Sequence, residues 1–102
     1  MIIRILDPYL SNAYQGKIFT NNLPYTYPDL QDFVKTVLIL EAMRGISDIH
    51  QFEGLHCYEL RIKGTKRHTI KMNHKYRIIL KFEKDKKSTE DILVIENLYN
   101  IY

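Results

Sequence analysis

One cysteine, Cys57, is present among 102 residues, so no internal disulfide can form and a reducing cytoplasm is the expected compartment. The four histidines, His50, His56, His68 and His74, have neither a cysteine pair nor His-x3-His spacing beside them, which excludes the common structural zinc patterns. No metal or cofactor is expected. No stretch approaches the ~18 consecutive apolar residues of a membrane span. The opening Met1-Ile2-Ile3-Arg4-Ile5-Leu6-Asp7 is too short and too soon interrupted to act as a secretory leader. Repeats and low-complexity tracts are also absent. What remains is an ordinary globular balance, 45% apolar and 26% charged, that fits a single domain over residues 1–102.

The net charge of +3 hides an uneven distribution. Between Glu59 and Lys87 there are eleven Lys/Arg against three Asp/Glu, a local +8; the remainder carries four against nine, a local −5. Such segregation suits a polyanion on one surface and a different contact on the other.

Hydrophobic periodicity divides the chain in the same place. Met1 to Leu6 is β-branched and apolar and reads as a short strand that Asp7-Pro8 ends. Ser11 to Phe19 is a weakly patterned short helix, and Asn21-Asn22-Leu23-Pro24 is a loop. The clearest helix starts around Pro28, with Asp29 and Asp32 near its positive end. Leu30, Phe33, Val34, Val37, Leu38 and Met43 recur at helical steps, and Arg44-Gly45 marks its end. Ser47 to Gln51 predicts one more helical turn, capped by Ser47 or Asp48. From His56 the period becomes two. Leu60 and Ile62 alternate with Arg61 and Lys63, and Gly64-Thr65-Lys66 reads as a turn. Ile70 and Met72 follow, then a hairpin at Asn73-His74, then Tyr76, Ile78, Leu80 and Phe82 on one face. Glu83 to Asp91 is a charged loop, and the apolar Ile92 to Leu98 predicts a central strand covered on both faces.

These elements predict an α+β layer fold, an antiparallel β-sheet with N-terminal helices packed on one face. If the apolar set meets the helix, Arg61, Lys63, Lys71, Arg77 and Lys81 emerge together on the other face. Thr69, Asn73 and nearby tyrosines add hydrogen-bonding and stacking groups to it.

An ordered set of segments carries a resemblance. Leu23-Pro24, Leu40-Glu41-Ala42, Ile46-Ser47-Asp48-Ile49, Leu55-His56, Leu60, Gly64, Thr69-Ile70-Lys71-Met72-Asn73 and Tyr76-Arg77-Ile78-Ile79-Leu80-Lys81-Phe82 follow one another. Over about residues 14–99 the chain resembles the HigB-type toxins of type II toxin–antitoxin systems, in the RelE/ParE superfamily. The most specific stretch is Thr69 to Phe82. The resemblance implies a RelE-like fold and a ribosome-dependent, metal-free mRNA endonuclease that inhibits translation. It implies three partners: mRNA, the ribosome and a cognate antitoxin, a helix-turn-helix DNA-binding protein. The ParE-like branch instead poisons gyrase, and a non-catalytic RNA-binding member of the superfamily is a third alternative.

Metal-free RNA cleavage must deprotonate the 2′-hydroxyl, stabilise the phosphorane and protonate the 5′-oxygen. Arg77, the arginine after the tyrosine in the resembled pattern, is the candidate for phosphate stabilisation through its guanidinium fork. Lys71 matches a basic residue of the same pattern. Lys63, Lys66 and Arg67 match its basic turn, and with Arg61 and Lys81 they would position phosphates. The resembled chains commonly end with a histidine, whereas this one ends Glu96-Asn97-Leu98-Tyr99-Asn100-Ile101-Tyr102. Tyr99 and Tyr102 are therefore the terminal candidates for base stacking or proton transfer. His68 and His74 are the histidines expected near the basic face, with His74 at a hairpin tip, solvated or in contact with ribosomal RNA rather than catalytic. The acidic half, with Asp29, Asp32, Glu41 and Asp48, is the expected antitoxin docking surface.

Overall fold

A computed structural model describes residues 1–17, 25–87 and 90–101. Strand β1, Ile2–Ile5, leads into helix α1, Pro8–Tyr14. The Asp7 carboxylate accepts from the amides of Tyr9 (2.9 Å) and Leu10 (3.2 Å), and Pro8 occupies the first turn. Asp7-Pro8 therefore starts a helix as well as ending a strand, and α1 begins earlier than the weak pattern of Ser11–Phe19 suggests. Residues 18–24 of the expected helix and loop lie outside the described residues.

Helix α2, Tyr27–Glu41, opens on a reciprocal capping box between Thr26 and Asp29. Leu30, Phe33, Val37 and Leu40 form its buried stripe. Helix α2 ends at Glu41, short of the expected Arg44-Gly45. Helix α3, Ile46–Gln51, starts at Gly45 with no side-chain cap; the Asp48 carboxylate accepts instead from the Arg44 amide, 2.9 Å away. A 3-10 turn at Glu53–Leu55 leads to the remaining strands.

Strands β2 (Tyr58–Ile62), β3 (Thr65–Lys71), β4 (Tyr76–Lys84) and β5 (Asp91–Asn100) complete a five-stranded sheet of order β1-β5-β4-β3-β2. All neighbours are antiparallel except β1 beside β5. The protein is thus mixed α+β, with a mostly antiparallel sheet and three α-helices among the described residues. The helices share one core with Ile70, Ile78, Leu80, Leu93, Ile95 and Leu98, all from one face of the sheet. No described helix is long and apolar enough to cross a membrane.

One strand faces opposite to expectation. The β2–β3 connection is the two-residue turn Lys63-Gly64, both with positive φ (51° and 78°), which pairs Ile62 with Thr65. A turn at Gly64-Thr65-Lys66 would have set Leu60 opposite Ile70, in the core. The shorter turn sets Leu60 opposite Arg67 and Glu59 opposite His68. Leu60 and Ile62 therefore stand on the outer face, and Arg61 stands on the helix side with Lys66 and His68. β5 is interior to the sheet, but no described helix covers its second face. Ile92 and Val94 are buried there among their strand neighbours Ile2, Arg4, Lys81 and Glu83. β4 continues through Lys84, so the charged loop is shorter than Glu83–Asp91.

Candidate active site

Strand register assembles the site. On the outer face Lys71 of β3, Arg77 of β4 and Tyr99 of β5 are direct neighbours, and Tyr58, Thr69, Ile79 and Asn97 form the next row. Arg77 is held from three directions. Its Nε donates to Thr69 Oγ1 at 3.1 Å, and its Nη2 donates to the carbonyls of Thr69 (3.3 Å) and His56. The guanidinium lies over the Tyr58 ring, 4.4 Å from its centroid. No described carboxylate pairs with it. No described residue accepts from Nη1, whose donors face outward for a ligand.

His56 supplies its carbonyl to Arg77 from the left-handed region, at φ 46° and ψ 54°. A non-glycine residue there costs roughly 1–2 kcal/mol, so the bond to Arg77 offsets local strain. His56 and Tyr58 form one wall of an open cleft of about 560 Å³, with Lys71, Asn73, His74, Arg77 and Ile101.

Asn73 sets the far wall. Its Oδ1 accepts from the amides of Lys75 (2.9 Å) and Tyr76 (2.8 Å), which shapes the β3–β4 turn that carries His74. Its Nδ2 donates to Asp29 (3.3 Å) and Asp32 (3.0 Å), tying the turn to the start of α2. The amide expected on the basic face is thus consumed by structure. The same holds for the acidic half: Asp29 bonds Thr26, Asn73 and Lys75, Asp32 bonds Asn73, and Asp48 caps Arg44. Those three carboxylates hold bonds within the chain, whereas Glu41 is exposed.

Of the cations assigned to phosphate binding, Lys71 and Arg77 line the cleft together with His74. Arg67 and Lys81 reach the outer face but pair with Glu96 and Glu83, the second at 2.8 Å. Glu96 is placed for this by a bulge, where Ile79 pairs with Asn97 and Leu80 with Ile95. Arg61 and Lys66 are on the helix side; Arg61 donates to the Gly64 carbonyl and Lys66 pairs with Glu59 at 3.1 Å. Lys63 sits in the turn. The expected continuous basic face is therefore broken into a cationic cleft at one end, the ion-paired Lys66, Arg67 and Lys81, and Arg61 and Lys63 at the β2–β3 turn. Tyr102 lies outside the described residues.

Tyr99 lies across from Arg77 and lines a second, apolar basin of about 460 Å³ with Tyr58, Leu60, Ile62, Thr69 and Ile79. Tyr58 borders both spaces. His68 is absent from both. It is buried on the helix side between His50 and Phe82, where desolvation lowers its pKa below the ordinary 6.5. Burial pushes the Cys57 thiol up, only partly offset by Arg77, so it is a poor nucleophile beside the cleft.

Sequence reasoning missed His56 and Tyr58. His56 stands just before the strand, where alternation assigns it to neither face. Tyr58 shares parity with Leu60 and Ile62, so the assumption that put those two in the core hid Tyr58 as well.

Among the described residues no three His, Cys, Asp or Glu side chains cluster as a metal site requires. Comparisons with protein-family models, curated proteins and solved structures found no match to this chain.

Proposed function

We propose that this chain is an endoribonuclease toxin of the HigB type, with the RelE-like fold, that cleaves ribosome-bound mRNA at the His56–Arg77 cleft and is neutralised by a partner antitoxin. The observation that carries this reading is a pinned arginine with no acidic partner among the described residues, bordering an open cleft with two imidazoles, a tyrosine and a lysine. Attack of the 2′-oxygen forms its bond to phosphorus and breaks the bond to the 5′-oxygen, which needs a held cation for the phosphorane, a group that takes the 2′-proton and one that protonates the leaving 5′-oxygen. Arg77 and Lys71 fill the first role. The imidazoles of His56 and His74, which border the same cleft, fill the second. Tyr58 and Tyr99 offer π-faces for unstacked bases.

The test is to induce the chain in bacteria and map transcript 5′ ends. New ends within translated frames are expected, and they disappear with Arg77→Ala or His56→Ala. Full growth arrest by an Arg77→Ala/Lys71→Ala double variant would sink the assignment. The apolar basin beside the cleft supports one competing reading, a ParE-like contact with gyrase. That reading requires DNA breaks with mRNA left intact.

A further inference from the structure

β2 is one edge of the sheet, and no backbone hydrogen bond from another described residue reaches its outer side. Edges of this kind are templates for another strand, and proteins often blunt them with charge. The charges on β2 are arranged differently. The Ile62–Thr65 pair closes a two-residue hairpin, so Ile62, Leu60 and Tyr58 turn their N–H and C=O groups towards β3. Glu59 and Arg61 turn theirs outward. These same two residues carry opposite charges at a spacing of two, with Leu60 between them.

We propose that this chain self-associates through β2, a second copy adding its own β2 antiparallel about a two-fold axis at Leu60. That register opposes Glu59 with Arg61 of the second copy, twice. Each is a pair of residues whose backbone groups already point outward, so hydrogen bonds and opposite charges coincide. Leu60 meets Leu60 at the axis, where cross-strand side chains approach closest. Tyr58 meets Ile62 of the second copy; the two side chains are 51% and 37% exposed in the single chain. The two apolar basins then join across Leu60, and each cationic cleft lies beside the dyad.

The geometry rejects the alternatives. A parallel in-register copy would oppose Glu59 with Glu59. The other edge, β1, has Arg4 as its one charge, so a two-fold on Arg4 opposes like charges and one on Ile3 opposes arginine with isoleucine. Pairing β1 to β2 is heterologous and gives a ring or an open filament rather than a two-fold dimer. A single added strand is a small contact beside the ~1,200 Å² of a standard interface, so the equilibrium should depend on protein concentration.

The test measures mass by sedimentation over a concentration series. A monomer–dimer equilibrium is expected for the wild type. Arg61→Glu and Glu59→Arg each oppose like charges and should weaken it about tenfold or more. The first variant presents two acids on β2 and the second two bases, so an equimolar mixture should recover the dimer. Folding of both variants is checked by their thermal transitions. In the wild type, the amides of Glu59 and Arg61 should gain hydrogen-exchange protection as concentration rises. A wild type that stays monomeric, an open-ended series of oligomers, or folded variants that remain apart when mixed would each overturn the proposal.

Discussion

Thr69→Val separates the placement of Arg77 from its charge. Valine keeps the shape of threonine at a site 2% exposed, and removes only the hydroxyl that accepts from Arg77 Nε at 3.1 Å. The bonds from Nη2 to the Thr69 and His56 carbonyls and the contact with Tyr58 persist. One hydrogen bond is lost from a half-buried guanidinium that water can still reach, so stability should fall by about 0.5–1.5 kcal/mol. No other described residue accepts from Nε, and a looser guanidinium stabilises the phosphorane less. A transition-state loss of about 1.4 kcal/mol is a tenfold slower cleavage. Arg77→Ala, which removes the group altogether, should cost about a hundredfold or more. Salt dependence of single-strand RNA binding supplies the second readout. Thr69→Val leaves the number of cations unchanged, so the slope of log K against log salt should not move. Arg77→Ala should flatten it by about 0.7. Cleavage would be followed in a translating extract and stability by urea unfolding. If Thr69→Val cleaves at the wild-type rate while Arg77→Ala does not, the hydroxyl plays no part in setting the guanidinium. A Thr69→Val slope that falls like that of Arg77→Ala would mean that the variant has lost Arg77 from the surface.

Three further outcomes follow from the same contacts. His68, faced by Glu59, His50 and Lys66, has a folded-state pKa lowered chiefly by burial; its contribution to stability is full above about 6.5 and is lost as pH falls through the folded value, so urea midpoints should drop on acidification and drop less in His68→Phe. Asn73→Ala removes two donors to α2 and the acceptor for two turn amides; it should cost about 2 kcal/mol and slow cleavage by displacing His74, whereas unchanged unfolding would show that the turn holds itself. Ile78→Ala empties a fully buried position at the centre of β4, and urea unfolding should register a loss of about 2–5 kcal/mol with the cleft residues intact.

Local pattern was enough for most of the architecture. The stripe of Leu30, Phe33, Val37 and Leu40 can be buried only as a helix, because those positions share a face only at a period of 3.6. Tyr76, Ile78 and Leu80 face the core for the corresponding reason at a period of two. Arg77 and Lys71, on the opposite parity of β4 and β3, were legible as outer-face cations from alternation alone. The charge of the second half was legible too, but its use was not. Which cations are neutralised depends on acids distant in the chain: Glu96 reaches Arg67 through a bulge that no local signal announces.

β2 marks the boundary between the two kinds of information. Its five residues alternate cleanly, yet alternation says only that Leu60 and Ile62 share a face, not which face. The Lys63-Gly64 turn and the pairing with β3 made that choice, and with it moved Arg61 away from the cleft and Tyr58 into it. His56 entered the site for a related reason, since its carbonyl is brought to Arg77 by a left-handed backbone and a partner 21 residues away. The sequence by itself determined which elements form, which side chains are apolar and where the positive charge lies. Register, bulge and turn decided which of those charges meet in one cleft, because long-range pairing selects one of two faces that local periodicity leaves equivalent.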